Sequence, residues 1–127
     1  MSHIFGAASA LKLSQVHPDL QKVFKEAISD APFDFSITCG LRTKEEQQKL
    51  FNEGKSKTMK SRHLTGNAVD VCVLIDGKAS WDMAHYKKLM EHVKTVAEKL
   101  NVKIQCGCDW VSFPDGPHVE LDRKYYP

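Results

Sequence analysis

Apolar residues recur at helical spacing in three segments of the chain. The first segment, His17–Asp30, has Pro18 where a helix begins, and the last, Asp82–Leu100, carries one continuous apolar stripe. The second begins with the capping-box pattern of Thr43–Glu46, in which a hydroxyl and a carboxylate bind exposed backbone N–H groups, and ends at Gly54. The spacing predicts three helices, each with one face on a hydrophobic core.

Four shorter apolar segments are typical of β-strands. Phe33–Cys39 alternates in part and is rich in β-forming residues, and Asn67–Ile75 is followed by an Asp-Gly turn. Two further short strands are predicted at 102–106 and 118–122. Helices packed on one side of a small, mostly antiparallel sheet form an α+β fold.

The composition is that of an ordinary globular protein, with 42% hydrophobic and 27% charged residues. The 127 residues predict one domain, 1–127, and the net charge of +2 is too small to indicate a nucleic-acid partner. No segment is apolar enough for a membrane anchor, and the N-terminus lacks the charged and apolar regions of a signal peptide. We therefore expect a protein that is made and folded in the cytosol.

Four cysteines are present, and in such a chain they are expected to be reduced thiols rather than a disulfide framework. Cys39 and Cys72 lie in apolar strand segments and are predicted to be small core residues. Cys106 and Cys108 form a C-x-C pair without a second pair, which is a weak zinc signal.

Asp70 is an acid inside the apolar strand Asn67–Ile75. Strand alternation places it on one face with Ala68 and Cys72, where an unpaired carboxylate would lose its hydration. It needs a cation or strong hydrogen-bond donors, and a metal shared with His63 is the nearest plausible source. Gly66 permits the turn that would bring His63 back beside the strand.

A catalytic zinc site needs a third protein ligand and leaves one position for water. His118, which opens the last predicted strand, is the best remaining candidate. A carboxylate must also take the proton of the attacking water. Asp115, in the loop just before His118, could reach that water, and Glu120 competes for the same role.

These residues resemble a known signature. The segment SRHLTGNAVD at 61–70, with DGPH at 115–118, is similar to that of the zinc superfamily of VanY-like D-alanyl-D-alanine carboxypeptidases and L-alanyl-D-glutamate endopeptidases. The chain most resembles the single-domain phage endolysins that cut the peptide stems of peptidoglycan. The likeness includes VHPDL at 16–20, CGLRT at 39–43 and GCDW at 107–110, and it implies the hedgehog/DD-peptidase-like fold.

The resemblance also implies roles for individual residues. His63, Asp70 and His118 match the zinc ligands, and Asp115 matches the general base, where many relatives carry Glu. Arg42 matches an arginine that faces the site, to stabilise the oxyanion or hold a substrate carboxylate. Three site residues keep structural alternatives: Asp70 could be an acid bonded to turn N–H groups, Asp115 could simply shape its turn, and Arg42 could form a surface ion pair with Glu45 or Glu46. Ser61 matches the motif serine, expected to bond to substrate or to the ligand shell.

The expected function is that of a zinc peptidase that hydrolyses the L-alanyl-D-glutamate bond of the stem peptide and lyses the cell wall. The alternatives are a D-alanyl-D-alanine carboxypeptidase or dipeptidase and, less expected, a non-catalytic zinc-containing wall-binding module. As a phage lysis protein it would be a monomer that waits in the host cytoplasm, without a signal peptide, until a holin lets it reach the periplasm and cell wall. Its partner would be peptidoglycan, with no nucleic acid and no membrane anchor.

Overall fold

A computed structural model describes residues 3–55, 61–110 and 116–126 of the chain. In this part of the chain the helices are α1 (Ala7–Ser14), α2 (Pro18–Ser29), α3 (Lys44–Asn52) and α4 (Met83–Lys99), and two 3₁₀ helices span Arg62–Thr65 and Gly107–Asp109. The strands are β1 (Asp34–Cys39), β2 (Ala68–Ile75), β3 (Lys78–Ser80), β4 (Ile104–Cys106) and β5 (His118–Leu121).

The strands form one antiparallel sheet in the order β1-β2-β5-β4, and β3 pairs with β2 as well. Strand β2 is the centre of this sheet, because β1 runs along its length and β5 pairs with its first three residues. The predicted α+β class with a mostly antiparallel sheet is confirmed.

The hydrophobic core lies between one face of the sheet and the apolar faces of α1, α2 and α4. Val69, Val71 and Val73 point into this core and are fully buried. Alternation therefore turns Asp70 to the opposite face of β2, as the sequence predicted. The core fixes the register of β2, since a slip of one residue would bury the carboxylate among apolar side chains.

The helix boundaries follow the caps that the sequence contains. His17 caps α2 by accepting a hydrogen bond from the Asp19 backbone N–H, and Pro18 is its first residue. The capping box before α3 is complete, because Thr43 Oγ1 accepts from the Glu46 N–H at 3.1 Å and Glu46 Oε1 accepts from the Thr43 N–H at 3.0 Å. The three predicted helices are thus present to within one or two residues.

Among the α-helices and β-strands of the described residues, α1 and the short strand β3 were not predicted. Helix α1 buries only Ser9 and Leu13, while Leu11 is exposed, so its apolar pattern is weak. Its contribution is partly polar: Ser9 Oγ accepts a hydrogen bond at 3.0 Å from the backbone N–H of Ile37 in β1. The helix therefore binds the edge of the sheet beside the site described below.

The four cysteines are free thiols, as predicted. Cys72 is buried, but it lies on the Asp70 face of β2 and outside the hydrophobic core cluster, and Cys39 is only half-buried. The prediction that Cys39 is a core residue is therefore wrong, for a reason given below. None of the helices in the described part of the chain has the length and apolarity that crossing a bilayer requires.

Candidate metal centre

One row of residues crosses three neighbouring strands. Cys39 at the end of β1 is the cross-strand partner of Asp70 in β2, and Asp70 is the cross-strand partner of His118 in β5. Directly opposed residues of antiparallel strands have neighbouring side chains. The sheet register alone therefore brings a thiol, a carboxylate and an imidazole together.

A β-bulge turns Cys39 toward this row. Ile37 pairs with Val71 and Cys39 pairs with Asp70, so β1 has one extra residue, Thr38, at this point. Regular alternation would place Cys39 on the core face with Ile37, whereas the bulge places it beside Asp70. This irregularity is the reason why the core prediction for Cys39 fails.

His63 reaches the same place from the 3₁₀ helix Arg62–Thr65. Ser61 caps that helix by accepting a hydrogen bond from the His63 backbone N–H at 3.2 Å. Gly66 ends it with φ of 73°, a conformation that favours glycine, and the chain turns back into β2. The backbone N–H of Arg42 donates to the His63 carbonyl at 2.9 Å and fixes the segment against the end of β1.

Both histidines point a ring nitrogen at the same oxygen of Asp70. His63 Nε2 lies 3.3 Å and His118 Nδ1 lies 3.1 Å from Asp70 Oδ1. The two imidazole rings are 5.3 Å apart between centroids, and both side chains are buried. The carboxylate is the more exposed member, so the site opens toward solvent above Asp70.

The other nitrogen of each ring is bound to a group that can only accept a hydrogen bond. His63 Nδ1 donates to the carbonyl oxygen of Gly40 at 2.9 Å, and His118 Nε2 donates to Glu120 Oε1 at 3.0 Å. In the neutral rings the lone pairs are thus on His63 Nε2 and His118 Nδ1, which are the atoms that face Asp70. Such outer hydrogen bonds orient histidines that bind metals.

The electrostatics favour a positive charge at the centre. Burial lowers the pKa of His63, but hydrogen bonds with Asp70 and Cys39 outweigh it and raise the pKa to about 10. Burial also lowers the pKa of His118, but the hydrogen bonds with Asp70 and Glu120 outweigh burial, so the pKa is raised. The pKa of Asp70 is lowered, since its bonds to the two histidines outweigh the effect of burial.

The donor set fits a zinc ion. Two imidazole nitrogens and a carboxylate are ordinary zinc ligands, and such donor atoms around a tetrahedral zinc are about 3.3–3.6 Å apart. The two distances to Asp70 Oδ1, 3.3 Å and 3.1 Å, lie close to that spacing. Among the described residues, Cys39, His63 and Asp70 form the one group of three whose ligand atoms all lie within 4.8 Å of one another. His118 is not in that group and meets it through Asp70 Oδ1.

Arg42 lies at the edge of this cluster. Its Nη2 donates to Cys39 Sγ at 3.2 Å and lies 3.8 Å from Asp70 Oδ2, and its Nη1 donates to Gln47 Oε1 at 2.7 Å. The side chain is mostly buried, so a surface ion pair with Glu45 or Glu46 does not describe it. The guanidinium faces the centre, where the sequence prediction placed it.

Glu120 is not free to act as a base. One of its oxygens accepts from His118, and the other accepts from Arg123 Nε at 3.4 Å and lies 3.8 Å from Arg62 Nε. Burial raises its pKa, but His118 and Arg123 outweigh this and the pKa is lowered. The carboxylate is an orienting group for His118. Asp115, the other candidate base, lies outside the described residues.

Sequence reasoning missed three features of this centre. Gly40 was not singled out, although its carbonyl binds His63 and a Cβ atom on it would lie 2.7 Å from the backbone oxygen of Lys12. The thiol of Cys39 was assigned to the core, and Glu120 was considered only as a base. A signal for Glu120 was available, because it alternates with His118 on one strand face.

The chain is similar to proteins of one kind. Residues 1–126 match the model of a protein family described as phage L-alanyl-D-glutamate peptidase. The L-alanyl-D-glutamate peptidase of Escherichia phage T5 is 34% identical over 130 residues, which cover 99% of this chain and 94% of the relative. The peptidoglycan L-alanyl-D-glutamate endopeptidase CwlK of Bacillus subtilis (strain 168) is 28% identical over 130 residues, covering 85% and 74% of the two chains.

A solved structure has the same fold, and its sequence identity to this chain is similar to that of the phage T5 relative. The crystal structure of the L-Ala D-Glu endopeptidase ChiX of Serratia marcescens superposes with a TM-score of 0.91 and is 36% identical. The match covers 98% of this chain and 95% of that one.

Proposed function

The chain belongs to the phage L-alanyl-D-glutamate peptidase family, and we propose that it works as a zinc peptidase whose metal is held by His63, Asp70 and His118. The bond that it hydrolyses is the L-alanyl-D-glutamate bond of the peptidoglycan stem peptide. The matched family and the three relatives named above carry this specificity in their names.

One observation carries the metal assignment. His63 Nε2 and His118 Nδ1 converge on the same oxygen of Asp70, and each ring is fixed through its other nitrogen. In the absence of a metal these three groups are held together by shared protons. A divalent cation can replace those protons, because it needs the same lone pairs.

The residues around the metal have distinct tasks. When bound, zinc acts as a Lewis acid toward the scissile carbonyl and toward water. Asp115 takes a proton from the attacking water and returns it to the departing amine of D-glutamate. This assignment rests on the family signature and on its place three residues before His118.

Arg42 stabilises negative charge on the substrate. Its guanidinium can serve the oxyanion that forms on the attacked L-alanine carbonyl, or a carboxylate of the substrate. The guanidinium is held by Gln47 and lies beside Asp70, so it is fixed before substrate arrives. Ser61 supports the site from outside, since its side chain holds the backbone of His63.

The biological setting extends the same proposal. The enzyme acts on the bacterial cell wall as a monomer, remains in the host cytoplasm until lysis, and reaches the wall after a holin opens the membrane. Sedimentation of the purified protein tests the monomer, and lysis of host cells with and without a co-expressed holin tests the route. Lysis without a holin would contradict the route alone.

The activity test uses purified peptidoglycan and counts new N-terminal D-glutamate. We expect release by the zinc-loaded enzyme, loss after chelation, and recovery when zinc is restored. His63→Ala and Asp115→Asn should abolish turnover, whereas His92→Ala, which removes a histidine bonded to the carbonyl of Ala27, should not. Turnover that survives complete metal removal would refute the zinc assignment.

A further inference from the structure

Cys39 has no task in the three-ligand site, yet the fold places its thiol there. The bulge at Thr38 turns the side chain away from the core and sets it opposite Asp70. Bulges commonly re-aim a side chain next to an active site. A cysteine that only filled space would have gained more by pointing into the core with Ile37.

The surroundings of the sulfur are polar and metal-binding. Its ligand atom lies within 4.8 Å of those of His63 and Asp70. Arg42 Nη2 donates a hydrogen bond to it at 3.2 Å. Thiolate is a preferred zinc ligand, and a guanidinium beside it offsets the negative charge that Asp70 and a thiolate bring together.

We propose that Cys39 is a fourth protein ligand of the metal and binds through its thiolate. The inference rests on the proposed function, because it takes the metal to be held by His63, Asp70 and His118. On binding, the S–H bond breaks, the sulfur lone pair forms the bond to the metal, and the proton passes to solvent. No electrons are exchanged.

The consequence is a resting site without an open position. Zinc sites with four protein ligands are typically structural, whereas catalytic sites keep one position for water or substrate. With Cys39 bound, water has to displace the thiolate or enter as a fifth ligand. The sheet row from β1 through β2 to β5 would then supply three ligands and the 3₁₀ helix the fourth.

The test is spectroscopic and does not depend on turnover. The full chain is loaded with Co²⁺ in place of zinc, and its absorption is recorded for the wild type and for Cys39→Ser. We expect a thiolate-to-cobalt charge-transfer band in the near ultraviolet that Cys39→Ser removes while the visible d–d bands remain. X-ray absorption of the zinc form should show one sulfur neighbour at about 2.3 Å, lost in the same variant.

Two matched controls isolate Cys39. Cys72→Ser makes the same change in β2, where the sulfur is buried and contacts the Val73 carbonyl, and Cys108→Ser tests the C-x-C pair. Both should keep the charge-transfer band. Zinc affinity should fall at least tenfold in Cys39→Ser, because loss of an outer partner of a ligand already costs about 10–100-fold.

The outcomes separate this inference from the proposed function. If Co²⁺ binds in a manner that requires His63 and Asp70 but shows no sulfur band, Cys39 is not a ligand and the three-ligand peptidase stands. If the band persists in Cys39→Ser and disappears in Cys108→Ser, the inference is equally overturned. If neither metal binds, or the loaded wild type releases no D-glutamate termini, the proposed function itself fails.

Discussion

Glu120→Gln tests whether the carboxylate behind His118 orients this ligand. Glu120 accepts hydrogen bonds on both oxygens, from His118 on one side and from Arg123 on the other, with Arg62 close by. Glutamine has the same shape but only one acceptor, so its NH₂ group must face either His118 or the arginines. Either orientation sets a donor against a donor.

The cost to metal binding follows from these two orientations. If the NH₂ group faces His118, the Nε2 atom must become the acceptor, and the ring proton moves to Nδ1, the atom that the metal needs. If it faces the arginines, the amide loses the hydrogen bond from the exposed Arg123 and leaves the mostly buried guanidinium of Arg62 without a counter-charge. Loss of such outer partners weakens metal affinity about 10–100-fold, which corresponds to about 1.4–2.7 kcal/mol.

The assay is a zinc titration against a competing chromophoric chelator, with thermal unfolding recorded for each variant. Glu98→Gln provides the matched control, because Glu98 is exposed on α4. The substitution makes the same chemical change far from the site. We expect Glu98→Gln to match the wild type. A zinc dissociation constant for Glu120→Gln within twofold of the wild type would refute the orienting role.

Three further predictions follow from the same structure. Gly40→Ala should lower the free energy of unfolding by about 1–3 kcal/mol in urea denaturation, because the new Cβ meets the backbone of α1. It should also weaken zinc binding through His63, whereas Gly6→Ala, where nothing lies within 4 Å, should leave zinc binding unchanged. Thr43→Ala should lower the free energy of unfolding by about 0.5–2 kcal/mol, because the α3 cap is lost, while Thr43→Ser should keep most of the cap's contribution. A Thr43→Ala variant as stable as the wild type would contradict the capping box. In the metal-free protein the pKa of His63 is raised from 6.5 to about 10, so protonation of His63 stabilises the folded state. This stabilisation is complete below pH 6.5 and is lost as the pH rises toward 10. Zinc must displace that proton, so affinity should rise with pH and binding should release protons to a pH indicator; a pH-independent affinity would contradict this.

The sequence predicted those parts of the molecule that depend on local pattern. The capping box of α3, the stripe of α4 and the alternation that isolates Asp70 all follow from spacing within a few residues. The approach of His63 to Asp70 was also within reach, because only Gly66 and a short turn separate them. The pairing of β2 with β5, which brings His118 to Asp70, joins residues far apart in sequence, and the family resemblance carried that part of the prediction.

The bulge in β1 could not be predicted, because the strand ends at Cys39, directly after it, and no later residue reveals the shift in alternation. By alternation, Cys39 shares a face with Phe35 and Ile37, and its apolar neighbours favour the core. What decides its side is the pairing of Cys39 with Asp70, which is a property of the assembled sheet. A single step in register thus moves a thiol from the hydrophobic core to a cluster of metal-binding groups.

Asp70 organises the site before any metal is present. A carboxylate on a half-buried strand is costly alone, but here its Oδ1 accepts from two buried histidines, and Arg42 lies beside Oδ2. The ring nitrogens that a metal requires are therefore already directed at one point, with their opposite nitrogens fixed by Gly40 and Glu120. Metal binding then exchanges protons for a cation between groups that the sheet and the 3₁₀ helix hold in place, so little chain ordering opposes it.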